Sequence, residues 1–192
     1  SSKFENETRW GLFPSVSVGY NIYKENFWQP LESIVNTLRI KASWGALGNQ
    51  NVPNYLYLPS LGIGTDLSWI MGNDGRPSYT TAPGLISANL TWETATTTNL
   101  GIEASFLDGR LTTSFDLYQR ITTDMFGPAE ALPILLGTSP PRANNATLQT
   151  NGIEIALGWQ STIGSELSYS IRATLADNVS KVTKYNNPTK SL

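Results

Sequence analysis

The chain has 192 residues, 13 basic and 15 acidic, for a net charge of −2. It is long enough for a domain with a sizeable core, and it lacks the basic excess that nucleic acid requires. It has no Cys and no His, which excludes disulfides, Cys- or His-ligated zinc, Cys–His pairs and Ser–His–Asp triads.

Charged residues make up 15% of the chain, against roughly 25% in soluble domains. Six Trp and eight Tyr accompany abundant Gly, Ser, Thr and Asn. The longest apolar runs, such as 132–136, span a handful of residues and include Pro133. None approaches the ~20 residues of a membrane helix. Residues 1–9 are polar and contain no signal-peptide core. The expectation is an internal excerpt of a longer protein.

Period-two alternation predicts six strands. In the first, Trp10, Leu12, Pro14, Val16, Val18, Tyr20 and Ile22 alternate with mostly small or polar residues, Phe13 and Tyr23 being exceptions. The second sets Leu38, Ile40, Ala42, Trp44 and Ala46 against Arg39, Lys41, Ser43 and Gly45. In the third, Trp92 to Phe106 on even positions oppose Glu93, Asn99, Gly101, Glu103 and Ser105. The fourth sets Leu111, Thr113, Phe115, Leu117, Ile121 and Met125 against Arg110, Thr112, Ser114, Asp116, Arg120 and Asp124. Ile153, Ile155, Leu157 and Trp159 mark the fifth, and Leu167, Tyr169, Ile171, Ala173 and Leu175 the sixth.

The connections alternate in length. Asp108-Gly109 is a tight hairpin signal. About a dozen residues, 24–36, join the first two strands, and the turn around Gly164 joins the last two. Residues 48–89 and 127–147 are long and rich in Gly, Pro, Asn, Ser and Thr. Long loops on every second connection, with strands of about 12 residues, fit a transmembrane β-barrel with short periplasmic turns and long extracellular loops. Aromatics fall near both ends of the apolar face: Trp10, Trp44 and Trp92 at one, Tyr20, Phe106, Trp159 and Tyr169 at the other. Lipid interfaces select such belts. Charges keep to the other face, where both signs can pair across strands.

Several stretches carry a family resemblance. They are "RWGLFPSVSVGYNI" (9–22), "LRIKASWGALGNQN" (38–51), "YLYLPSL" (55–61), "NLTWETATTTNLGIEASFLDGRLTT" (89–113), "FDLYQRITTDMF" (115–126) and "LQTNGIEIALGWQ" (148–160). In this order and spacing they resemble the C-terminal barrel region of SusC/RagA-like TonB-dependent transporters of bacterial outer membranes. The segment from Lys24 through Phe27-Trp28 to Asn36 resembles that family's short periplasmic helix.

The resemblance implies that residues 1–192 form part of one all-β, antiparallel barrel of about 22 strands, with the plug and TonB box outside this segment. It further implies TonB-driven import of large nutrients, oligosaccharides or peptides, with a SusD-like surface lipoprotein as lid. Substrate or lid contacts are expected in the two long loops, with Tyr55, Tyr57, Trp69, Asn73, Asp74 and Tyr79 as candidates, because aromatic faces and amides suit sugars. Self-packing of the loops, or packing against the lid, is the competing reading for each of these six. Asn99, Gly101 and Gly152 are expected on the lumen side, and Arg110 is expected to pair with Glu103.

Two alternatives are a passive porin and a soluble β-sandwich carbohydrate-binding module. Enzymatic chemistry has no support: Glu93 and Glu103 lie ~30 Å apart along a strand. "GIG" (62–64) lacks the strand–helix context of a nucleotide loop. Asp66, Asn73 and Asp74 read as turn residues more readily than as a Ca²⁺ loop. No cofactor is implied.

Overall fold

The structure is a computed structural model that describes residues 3–4, 8–65, 78–87, 90–128, 132–164 and 166–185. It contains β1 (Ser15–Asn21), β2 (Val35–Asn49), β3 (Gly62–Gly64), β4 (Tyr79–Thr81), β5 (Glu93–Phe106), β6 (Leu111–Pro128), β7 (Arg142–Ile163) and β8 (Leu167–Tyr185). Short 3-10 turns occupy Ile22–Lys24, Asn26–Leu31 and Ile134–Leu136. Six strands form one antiparallel sheet in the order β1-β2-β5-β6-β7-β8, and β3 and β4 pair as a separate two-stranded sheet. All six predicted strands are present.

Several boundaries differ from expectation. β1 begins only at Ser15, and Trp10 and Leu12 precede it. β6 runs on to Pro128 and β7 starts at Arg142, so part of the predicted 127–147 loop is strand. The reason is a bulge between Thr122 and Met125, with Asp124 at φ 55°. It absorbs the break in alternation and lets the β6–β7 pair continue beyond it. The 48–89 loop carries its own small hairpin, β3–β4.

Register divides the sheet into two unlike faces. One row runs Tyr20, Ile40, Ile102, Phe115, Ile155, Leu175, and the next runs Val18, Ala42, Leu100, Leu117, Ile153, Asp177. Between them, on the opposite face, runs Gly19, Lys41, Gly101, Asp116, Glu154, Ala176. The apolar rows are uncovered: Leu100 is 51% exposed and Ile171 64%. Among the described residues no second sheet packs against them. An uncovered apolar face does not favour the soluble β-sandwich, whose inward face is buried.

The aromatic belt crosses the rows diagonally. Tyr20 shares its row with Leu175, whereas the belt ring of β8, Tyr169, lies six residues nearer the same sheet end. Six residues of rise, ~20 Å, across five strand spacings, ~24 Å, incline the strands ~40° to the perpendicular of the belt. That is the strand tilt of transmembrane barrels, about 35–45°.

The short-turn end is braced. Leu107, Asp108 and Gly109 all have positive φ, and the Arg110 N–H donates to the Leu107 carbonyl at 3.2 Å. This is the turn geometry that the Asp-Gly pair favours. A register irregularity next to Asn36 leaves its side chain to accept a hydrogen bond from the Gly109 N–H at 3.2 Å. The Gln160 amide donates to the Gly109 carbonyl at 3.1 Å. Gly109 thus ties the β5–β6 turn to Asn36 of β2 and to Gln160 of β7.

Candidate functional site

Two places on the sheet gather polar or buried side chains. The first is the polar face. Lys41 Nζ lies 2.8 Å from Glu103 Oε1 and 3.1 Å from Asp116 Oδ1, and Arg39 stands 3.9 Å from the other Glu103 oxygen. Lys41 and Asp116 sit on strands separated by β5, with Gly101 between them. A Cβ at Gly101 would collide with both the Lys41 stem and the Asp116 carboxylate. Glycine here opens a slot through which the lysine reaches across a whole strand. In the same way the Arg39 guanidinium lies over Gly19, and the Tyr118 ring over Gly152. The glycines of "NLGIE" and "TNGIE" are therefore clearances for long neighbouring side chains. The expected Arg110–Glu103 pair is absent from the ion pairs of the described residues. Glu103 is engaged by Lys41 and Arg39 across β2, four residues further along β5–β6 than the turn.

Substituting Lys41 by Met should remove a bridging cation from two carboxylates. Asp116 is only 13% exposed and directly faces Glu154. The expected loss is about 1–2 kcal/mol, less than for a fully buried pair because the network is partly solvated. Urea titration of the folded barrel measures it, and an unchanged midpoint would show that the bridge contributes nothing.

The second place is the long-loop end. Phe4, Val52 and Leu90 are 0, 4 and 4% exposed, with Leu56, Trp92 and Phe126 packed around them. Trp92 meets Phe4 and Phe13 edge-on, and its indole N–H donates to the Thr8 carbonyl at 3.0 Å. It is therefore a packing centre for loop segments and not a free belt residue. Phe13, out of phase in the sequence, turns toward it. Glu93 ties two loop bases: one oxygen accepts from Asn49 Nδ2 at 2.6 Å and the other from the Phe126 N–H at 2.8 Å. Asn144 exchanges two hydrogen bonds with the Thr91 backbone, each 3.0 Å. Isolated apolar residues such as Phe4 carry no periodic signal, so sequence reasoning missed this cluster. The Trp92-Glu93 pair was the one visible hint.

The candidate contact residues are not brought into one pocket. Tyr55 stands at a turn with φ 62° and is 68% exposed. Tyr57 is half-buried nearby. Tyr79 starts β4, and its ring lies across Gly64 of β3, which is loop self-packing. Trp69, Asn73 and Asp74 lie outside the described residues. No group of three or more metal-ligating side chains occurs among the described residues.

Comparison with known proteins agrees with this geometry. The family model for the TonB dependent receptor-like β-barrel matches residues 1–191. The TonB-dependent receptor SusC of Bacteroides thetaiotaomicron is 28% identical over 186 residues, covering 96% of this chain and 18% of that protein. TonB-dependent receptor P3 of Formosa agariphila is 28% identical over 184 residues, covering 96% and 18%. Among solved structures, the RagAB peptide importer in its "open-open" state superposes with a TM-score of 0.81 at 22% identity, covering 96% of this chain and 19% of that one. Its "closed-closed" state gives 0.80 at 22% identity, covering 95% and 19%. The chain thus spans about a fifth of the length of the relatives it matches. Proteins of this family are receptors, in keeping with a sequence that offers no nucleophile with its base. The apolar face is the lipid face and the polar face the lumen wall: the chain belongs to the TonB-dependent receptor β-barrel family, is homologous to SusC, and lies in the bacterial outer membrane as an open six-stranded part of that barrel.

Proposed function

We propose that this chain is one stretch of a single large plugged barrel that imports oligosaccharides or peptides across the outer membrane. TonB drives the import through the plug, and a SusD-like surface lipoprotein closes the mouth. The observation that carries this reading is the family match over residues 1–191. The loops support a protein lid. Beyond the lipid-facing rows, Leu61, Ile63, Leu85 and Leu135 stand 62, 78, 50 and 96% exposed. Apolar side chains above the membrane favour a protein partner. Tyr55, Tyr57, Trp69, Asn73, Asp74 and Tyr79 are the proposed substrate or lid contacts, Tyr55 foremost because its ring is free.

The test is uptake of labelled oligosaccharides and of labelled peptides by cells carrying the whole transporter, with and without TonB. Uptake of one class should require TonB, and replacing Tyr55 and Tyr57 by Ala should raise the concentration for half-maximal uptake about tenfold, as loss of ~1.4 kcal/mol of contact energy would. TonB-independent uptake would instead identify a passive pore, which the family membership does not favour.

A further inference from the structure

Toward the long-loop end of the lumen wall, β2, β5 and β6 enclose an open groove of about 500 Å³. Gly45, Leu47, Ala95, Thr97, Arg120 and Thr122 line it. Arg120 belongs to β6, an interior strand, and faces Thr97 across one ladder and Thr150 across the other. Its side chain is exposed and has no hydrogen bond or ion pair among the described residues. The carboxylates around it do not neutralise it. Asp116, four positions inward, is held by Lys41 at 3.1 Å. Glu93, at the rim, accepts from Asn49 and from the Phe126 N–H. Asp124, four positions outward, belongs to the bulge and makes no ion pair among the described residues. A free guanidinium flanked by hydroxyls is a receptor for a carboxylate, which its planar fork can bond through two N–H groups at once.

Depth places the groove at the entrance. Arg120 lies nine residues outward of Leu111, which the register joins to the belt ring Trp159. A tilted strand crosses the bilayer in about 9–11 residues. The groove therefore opens at the outer mouth of the lumen, where an imported molecule first meets the wall below the loops.

The surroundings favour a saccharide over a peptide. Sheets bind peptides through free main-chain groups at an edge, and those of β5 and β6 are taken up in their ladders here. The wall offers side-chain hydroxyls and amides instead: Thr97 and Thr122 in the groove, Thr150 beside it, and Ser43 and Asn99 one row inward. Tyr118, two positions from Arg120 on the same face, lays its ring across Gly152. That ring is an apolar surface with a polar tip, suited to the face of a sugar.

We propose that this groove receives the carboxylate of an acidic oligosaccharide, a chain containing uronic acid, on its way into the barrel. Arg120 forks onto the carboxylate, Thr97 and Thr122 bond neighbouring hydroxyls, and Tyr118 carries the next sugar ring. The inference rests on the import reading above and narrows its substrate class.

The test titrates the whole transporter in detergent with trigalacturonate, triglucuronate and trimannuronate, and with the methyl ester of each, by isothermal calorimetry. Wild type is compared with Arg120→Gln, and with Arg172→Gln, on the same wall toward the short-turn end, as control. Unchanged heat-modifiable gel mobility verifies folding. At least one acid should bind wild type and control alike and bind Arg120→Gln about tenfold less tightly, as expected for loss of a charge-assisted hydrogen bond. Its ester should bind wild type as weakly as the acid binds Arg120→Gln. No binding of any of the acids, equal affinity for acid and ester, or equal affinity in Arg120→Gln would overturn the proposal. Equal affinity together with faster proteolysis of the plug would assign the guanidinium to the plug instead. Arg120-dependent binding of the peptide Ala-Glu-Ala in place of the saccharides would also overturn it and assign the groove to peptides. TonB-dependent uptake of a neutral oligosaccharide or a peptide beside any of these failures would leave the import reading standing. Uptake that ignores TonB removes that reading without altering the calorimetry.

Discussion

Replacing Phe115 by Arg is expected to destabilise the folded barrel by about 2–4 kcal/mol, the cost of a basic side chain at the midplane of a lipid-facing strand. Phe115 lies on β6 in the row of Ile102 and Ile155, near the middle of the band set by the aromatic belt. Its neighbour Ser114 points the other way and faces Glu103 across the sheet. Ser114→Arg should therefore shift stability by no more than ~0.5 kcal/mol, as solvated positions do. The pair is a controlled comparison, since one residue of displacement exchanges lipid for water. Urea titration of the whole barrel refolded into vesicles measures both. Similar costs for the two variants would mean that the faces are misassigned.

Phe4→Ala is expected to loosen the long-loop end without unfolding the sheet. Phe4 is wholly buried, and truncating a buried Phe costs about 3–5 kcal/mol. Its partners Val52 and Leu90 belong to loop segments, so the cost falls on them and not on the β-ladders. Amide hydrogen exchange should rise ~100-fold or more around residues 50–58 and 90–92, the factor for ~3 kcal/mol of lost local stability. Exchange within β5 and β6 should stay as it is. If the loops exchange no faster, they are held by their side-chain-to-backbone hydrogen bonds alone. Those bonds, from Lys3 Nζ to the Val52 carbonyl at 2.7 Å and from Thr8 to the Leu90 carbonyl at 3.0 Å, would then be sufficient.

What could be read from the sequence follows from what is periodic. Leu111 to Leu117 on odd positions and Ser114 and Asp116 on even ones specify both a strand and its two environments, because the pleat repeats every two residues. The Asp108-Gly109 turn was equally readable, since few pairs tolerate positive φ in succession. The rest depends on contacts between segments far apart in the chain. The β6 bulge at Asp124 is invisible because it is an interruption of the very pattern used to find strands. Phe4 is one aromatic in a polar run, and only the fold brings it to Val52, 48 positions away. The loop candidates fared accordingly. Residue type alone points to Tyr55, Tyr57 and Tyr79, and the structure separates the exposed ring of Tyr55 from that of Tyr79, which lies across Gly64.

The absence of Cys from the chain permits a direct reading of which way each side chain faces. Single cysteines placed from Leu111 through Gln119 in the intact membrane-embedded protein can each carry a nitroxide spin label. Collision rates with oxygen, which concentrates in lipid, and with a water-soluble nickel complex are then compared position by position. Oxygen access should peak at 111, 113, 115 and 117, and nickel access at 112, 114, 116 and 118. Labels that show no alternation, or that find water at Phe115 and lipid at Asp116, would contradict a single sheet with one face in the membrane and the other toward a hydrated lumen.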